Sequence, residues 1–164
     1  MNQFLDDVRS SLQEQIIEVN QYAGEVSLEI QPQHLLAVCQ ILKEKFGFTY
    51  LSDITATDMF TDQQRFRLSY NLFNLTEKKR IRISCRVNEE NPEVDSLCEL
   101  WPSANWNERE AFDMMGIRFK NHPDLRRMFM PEDFEYFPLR KEFPLIGIAG
   151  SIEVPEKDPP KPYK

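Results

Sequence analysis

Arg65-Phe66-Arg67-Leu68-Ser69-Tyr70-Asn71-Leu72, followed by Arg80-Ile81-Arg82-Ile83-Ser84-Cys85-Arg86-Val87, is the stretch on which the fold turns. Apolar and polar residues alternate strictly in both halves, and a polar turn at Glu77–Lys79 lies between them. A period of two belongs to a strand with one buried face and one wet face, so the pair reads as an antiparallel hairpin. Phe66, Leu68, Tyr70, Leu72, Ile81, Ile83, Cys85 and Val87 form its core face. Arg65, Arg67, Arg80, Arg82 and Arg86 fall on the other, either as a solvated sheet face or as a docking surface for an acidic partner.

Working outward, Phe48–Ala56 and Val26–Gln31 read as further strands. Phe4, Leu5, Val8, Leu12, Ile16 and Ile17 recur at helical spacing and predict an amphipathic helix running into Tyr22–Gly24. Pro32 suits the first turn of a second helix, with Leu35, Leu36, Val38, Cys39, Leu42 and Phe46 on one face and Gly47 at its end. Val94–Trp101 reads as a helix interrupted at Pro102, and another runs from Ser103 or Asn105 to Met115, where Gly116 suits a C-terminal cap. Helices on one face of a mostly antiparallel or mixed sheet give an α+β, two-layer domain over residues 1–130.

Beyond Met130 the character shifts, with seven of the 11 prolines between Pro131 and Pro162. Proline lacks an amide donor and fixes φ, so residues 131–164 are expected to form an extended arm rather than a helix or central strand. Phe134, Tyr136, Phe137, Leu139, Phe143, Leu145 and Ile146 are too apolar for a free linker. The last ten residues, with Pro155, Pro159, Pro160 and Pro162, resemble a polyproline-type tail.

A net charge of −7 argues against nucleic-acid binding through phosphate neutralisation and against direct docking on an anionic membrane. Cys39, Cys85 and Cys98 lie far apart with no Cys-x-x-Cys pair, so an iron–sulfur cluster or structural zinc has no evident ligand set, and reduced cytosolic thiols are the simplest reading. The acidic first 20 residues do not read as a targeting sequence, and no apolar run reaches the length of a membrane span. A soluble chain is expected.

The densest run of ionisable residues is Asn107-Glu108-Arg109-Glu110-Ala111-Phe112-Asp113-Met114-Met115-Gly116. On a helix Glu108 and Glu110 sit about 200° apart and cannot share one substrate as a carboxylate pair. Arg109 and Asp113, four apart, can pair, and Asn105 with Glu108 fits a capping box. His34 and His122 are the only histidines, and His122 precedes Pro123 with no neighbouring Cys or His to complete a metal site. Arg126 and Arg127, after Asp124, suit an anion or a rim salt bridge. No Gly-rich phosphate loop or Gly-x-Ser-x-Gly elbow occurs. An independent enzyme would have to rest on Glu110, Asp113 and His122 as acid–base groups, and a stand-alone acidic adaptor is the other alternative.

Glu108 to Ile117, then His122-Pro123-Asp124-Leu125-Arg126-Arg127-Met128, Met130-Pro131-Glu132-Asp133 and Pro138-Leu139-Arg140-Lys141-Glu142-Phe143-Pro144, resembles the signature of the thirty-kilodalton subunit family of respiratory complex I, the proton-translocating NADH–quinone oxidoreductase. In bacteria its members are the C-type subunits of that complex. Leu51–Asp58 gives a weaker echo upstream. Phe129 stands where the family pattern has a smaller aliphatic, and Tyr136-Phe137 where a Gly-His pair is usual. The resemblance implies a non-catalytic subunit of the hydrophilic arm, supporting electron transfer from NADH to quinone on the cytoplasmic face of the inner membrane. It implies no cofactor of its own, the FMN and iron–sulfur clusters lying on other subunits. The D-like and B-like subunits of the same complex would be its partners, met through Glu108, Arg109, Glu110, Asp113, Gly116, His122, Arg126, Arg127, Arg140 and Lys141. A related subunit of a membrane-bound nickel–iron hydrogenase or formate hydrogenlyase is the alternative within the same resemblance.

Overall fold

The alternation in Arg65–Val87 becomes the centre of a sheet. The computed structural model describes residues 2–12, 14–60 and 63–151. Strands β4 (Phe66–Asn74) and β5 (Lys79–Val87) pair antiparallel, with Leu68 opposite Cys85, Tyr70 opposite Ile83 and Leu72 opposite Ile81. The elements that precede this hairpin begin with helix α1 (Asn2–Leu12), strands β1 (Ile16–Tyr22) and β2 (Glu25–Ile30), and helix α2 (Leu35–Glu44) after a 3-10 turn at Pro32–His34. Strand β3 (Tyr50–Asp58) pairs antiparallel with β4, β2 lies parallel to β5, and the order is β1-β2-β5-β4-β3. Short β6 (Glu93–Asp95) and β7 (Arg118–Lys120) pair in parallel on either side of helix α3 (Ala104–Met115).

The helices cover one face of the sheet. Leu5, Val8 and Leu12 from α1, Leu35, Val38, Cys39 and Leu42 from α2, and Ala111, Met114 and Met115 from α3 meet the inward residues of β2 to β5 in one core. Tyr70, Phe48 and Phe66 are its largest fully buried side chains. The α+β, two-layer expectation holds, with a mixed sheet of five strands.

Three local expectations change. Ile16 and Ile17 do not extend the first helix. The chain leaves α1 at Leu12, and both isoleucines enter β1, which returns antiparallel through a two-residue turn at Ala23-Gly24. Both turn residues have positive φ (49° and 83°), the backbone a tight two-residue hairpin requires. Spacing alone could not separate the two, because a short apolar pair fits either period. Val94–Trp101 is likewise no helix. Glu93–Asp95 pairs with β7, and Leu97–Trp101 forms a turn in which Leu100 and Trp101 donate to the Leu97 carbonyl. Thirdly, Arg65 does not join the outer cationic row. It precedes β4 and is 5% exposed, with its guanidinium on Asp58.

The remaining outer arginines are balanced by neighbours on the same face. Arg86 lies 3.1 Å from Glu29, Arg82 lies 3.5 Å from Glu25 and donates to Asn71, and Arg67 donates to the Ser84 hydroxyl. Arg80 stacks on Phe73. A face this compensated behaves as a solvated sheet surface rather than as a bare cationic patch.

Candidate functional site

Helix α3 gathers the signature residues, and its side chains work over long sequence distances. Ser103 opens it without a side-chain cap, so the Asn105–Glu108 capping box does not form. Glu108 turns inward instead and is fully buried. Its carboxylate accepts from the Ser96 hydroxyl (2.6 Å), the Leu97 N–H (2.7 Å) and the Cys98 thiol (3.5 Å), closing the turn after β6. Burial raises its pKa, against the pull of those three donors. A carboxylate that satisfies a buried amide, a hydroxyl and a thiol stabilises more than a solvated helix-start acid, and this is why the turn wins it.

Asp113 is the second hub, also fully buried. Its Oδ2 accepts from the backbone N–H of Met128 (2.9 Å), Phe129 (2.7 Å) and Met130 (3.1 Å), and its Oδ1 from Arg127 Nη1 (2.8 Å). Burial pushes this carboxyl upward, but the three amides and the guanidinium outweigh it and hold Asp113 below the usual carboxylate range. The expected Arg109–Asp113 pair does not form. Arg109 donates to the Arg126 and Arg127 carbonyls and lies over the Trp106 ring. Arg127 fills the place that helical spacing offered to Arg109, because it also reaches the Asp113 and Tyr136 carbonyls and packs on Phe134 and Phe137.

The end of α3 is fastened by the proline-rich segment. Gly116 takes the left-handed conformation (φ 76°) and its N–H donates to the Phe112 carbonyl. The carbonyls of Met114 and Met115 at the helix end accept from the Leu139 N–H (3.1 Å) and Arg140 Nε (2.8 Å), a cation placed at the negative end of the helix. Arg140 also stacks on Phe66 and Phe137. One step further, the Lys141 N–H donates to Asp58 Oδ2, and Glu142 pairs with Arg65. Phe134 is buried against Tyr136 and Phe143. Removing that ring from water contributes about 1.5–3 kcal/mol to holding the segment down.

Residues 131–143 therefore run without helix or strand across their own domain. From Pro144 the character changes: Leu145 and Ile146 are fully exposed. The polyproline-type tail expected at 155–164 lies outside the described residues.

His122 is held by hydrogen bonds, Nε2 on the Asn105 carbonyl (3.2 Å) and Nδ1 accepting from the Asp124 N–H (3.0 Å). Arg126 pairs with Asp124 at the surface, the rim salt bridge of the two readings left open. Glu110, Arg126 and Lys141 are exposed, whereas Glu108, Arg109, Asp113 and Gly116 are buried. The three sequence candidates for acid–base work are not brought together in a shared site. Glu110 faces solvent, Asp113 has its oxygens occupied by four donors, and His122 stands with Cys98 and Glu108 instead.

Residues 28–148 match the family model described as the respiratory-chain NADH dehydrogenase 30 kDa subunit. The chain belongs to that family. A relative from Geotalea uraniireducens, the C subunit of its NADH-quinone oxidoreductase, is 39% identical over 98% of this chain and 93% of its own length. Among solved structures, a trypsin-resistant fragment of Nqo5 superposes with a TM-score of 0.58 at 27% identity, covering 76% of this chain and 98% of the fragment. A chain of the membrane-bound sulfane sulfur reductase, an archaeal respiratory membrane complex, shares the fold with a TM-score of 0.77 at 18% identity, over 88% of this chain and 86% of that one.

Within the family pattern, the two departures now have a place. Phe129 donates its amide to Asp113 while its ring points to solvent, so the backbone role does not depend on the side chain. Phe137 supplies the surface on which Arg127 and Arg140 stack, and its ring lies directly against Gly116. A Cβ on Gly116 would sit 2.7 Å from the Phe137 ring and 2.7 Å from Arg140 Nη2. Gly116→Ala is therefore expected to cost about 1–3 kcal/mol, from the left-handed backbone and the displaced strap together. Chemical denaturation measures the loss, and limited proteolysis should find new cleavage near Phe137–Lys141. A variant as stable and as resistant as the parent would contradict this account.

Proposed function

We propose that this chain is the C-type subunit in the hydrophilic arm of a proton-pumping NADH–quinone oxidoreductase, acting through assembly rather than through chemistry of its own. Relatives named as that subunit, matched over nearly the whole chain, support the reading over a hydrogenase or formate hydrogenlyase subunit. The observation that carries the assembly role is the division of labour in the signature. Its buried members Arg109 and Asp113 fasten residues 126–130 to α3, and the oxygens of buried Glu108 and Asp113 are taken up by protein donors.

What this fastening leaves outside is a set of exposed contact groups: Trp106, Arg126, Phe129, Leu139, Leu145 and Ile146. Aromatic and arginine side chains at a surface are the groups that anchor protein interfaces. The D-like and B-like subunits of the complex are the partners this reading assigns. FMN and iron–sulfur clusters are assigned to other subunits. Among the described residues no helix is long and apolar enough to cross a membrane. Attachment at the cytoplasmic face of the inner membrane would thus come through the complex.

The test is a double substitution, Leu145→Asp with Ile146→Asp. Both side chains are free of the domain, so its unfolding transition should stay within about 0.5 kcal/mol of the parent. Assembled complex on a native gel should fall severalfold. Parental complex levels would overturn the assembly role of this segment. Arg126→Ala is the companion variant for the Trp106 side; Arg127→Ala is unsuitable, because Arg127 is tied to buried Asp113.

A further inference from the structure

Cys98, Glu108 and His122 come from three separate segments: the turn after β6, the middle of α3, and the loop after β7. Each offers one donor atom, a thiol sulfur, a carboxylate oxygen and a ring nitrogen, and the three atoms lie within 4.8 Å of one another. We propose that these residues form a binding site for a zinc-class divalent cation, with water completing a four-coordinate shell.

The geometry is near what such an ion requires. Bonds of about 2.3 Å to sulfur and about 2.0 Å to oxygen at a tetrahedral angle put the two donor atoms about 3.5 Å apart. Cys98 Sγ and Glu108 Oε2 are 3.5 Å apart. The Glu108 carboxylate is already oriented by the Leu97 N–H on Oε1 and the Ser96 hydroxyl on Oε2, the outer contacts that hold a metal ligand in place. Glu108 is buried while Cys98 and His122 are only half-buried, so an ion has a route in and a solvent side for its water.

Without an ion, protons occupy the same positions. The Cys98 thiol donates to Glu108, and the His122 ring proton sits on Nε2 and donates to the Asn105 carbonyl while Nδ1 accepts from the Asp124 N–H. Binding releases the thiol proton to solvent and forms the sulfur–metal bond. His122 stays neutral, ligating through its unprotonated Nδ1 and keeping its proton on Nε2 for the Asn105 carbonyl, at the expense of the Asp124 N–H contact. The three residues are 10 to 24 positions apart, which is why no ligand spacing is visible in the sequence.

The experiment uses the full-length chain freed of metal with a chelator. Cobalt(II) is titrated as a spectroscopic probe and zinc(II) as competitor. One ion per chain, a thiolate-to-cobalt charge-transfer band and its removal by zinc are expected. Cys98→Ser should abolish the band. His122→Gln should weaken binding by at least roughly tenfold, the loss that even an outer-shell partner carries. In the unmodified chain, zinc should also protect Cys98 from alkylation, mapped by mass spectrometry, while buried Cys39 and Cys85 remain unlabelled in the native fold either way. A band that persists in Cys98→Ser, or alkylation of Cys98 that is the same with and without zinc, overturns the site.

Discussion

Asp113→Ala is expected to lower the stability of the domain by about 3–5 kcal/mol, the range for removing one partner of a buried charge pair. The substitution leaves Arg127 with its side chain only 12% exposed and no carboxylate opposite it. It also strips three consecutive amides, Met128 to Met130, of their common acceptor. Each amide left without a partner in a half-buried loop adds to the penalty. Denaturant unfolding of the purified chain measures the total. A loss below about 1 kcal/mol would mean that water replaces these contacts and that the hub is not structural.

The same residue sets a pH dependence with a definite sign. Its folded-state pKa lies below the unfolded carboxyl value of about 3.9, so the unfolded chain binds the proton more readily. The stabilisation is complete above that value and is lost as pH falls through the folded pKa. Asp58 acts in the same direction, its carboxyl lowered chiefly by the Arg65 hydrogen bonds. Glu108 acts oppositely: burial raises it, so stability attached to its protonated form is lost as pH rises from about 4.3 toward its folded pKa. Asp113→Asn should therefore flatten the acid limb of the stability curve below about pH 4, although the variant is weaker at neutral pH.

The elements that place these groups were legible in the sequence to very different degrees. The β4–β5 hairpin declared itself, because strict alternation from Phe66 to Val87 has no competing reading. Helix α3 and its Gly116 cap were also legible, since both signals are local. Ile16 and Ile17 were not, because two apolar residues near the end of a helical run satisfy either period. Neither was the Glu93–Asp95 strand, too short to show a pattern and stabilised by pairing with β7, which lies beyond α3. The site residues stand out by their pattern, but their partners do not. Helical spacing offers Asp113 to Arg109, whereas the pairing that forms is with Arg127, 14 positions away, and with backbone amides that no side-chain pattern encodes. Glu108 similarly reads as a cap for its own helix when it satisfies a turn ten residues upstream. The division of the chain at residue 130 likewise rests on composition, and composition cannot say that Phe134, Arg140 and Glu142 return to the same domain.

That return has its own lock, and breaking it is the second large effect expected. Arg65→Met should cost about 3–5 kcal/mol, because it leaves the Asp58 carboxylate fully buried with no cation opposite it. Arg65 donates to Asp58 through Nε (2.9 Å) and Nη2 (2.7 Å), the two-pronged geometry that makes arginine pairs strong. Its other partners, Glu89 and Glu142, are about half exposed and add little by comparison. The loss should reach the strap as well as the core. Lys141 donates its amide to Asp58, and Glu142 has Arg65 for its partner, so amide exchange at Lys141 should accelerate more than exchange in β4. A double variant separates charge burial from packing. Asp58→Asn removes the carboxylate's charge and keeps an acceptor for one of the Phe60 and Lys141 amides, which donate to different oxygens. Combined with Arg65→Met, it should cost less than the sum of the two single losses, giving a coupling energy of about 1–3 kcal/mol in the cycle. If the two losses simply add, Arg65 stabilises the domain through its contacts with Phe60 and Phe66 rather than through Asp58.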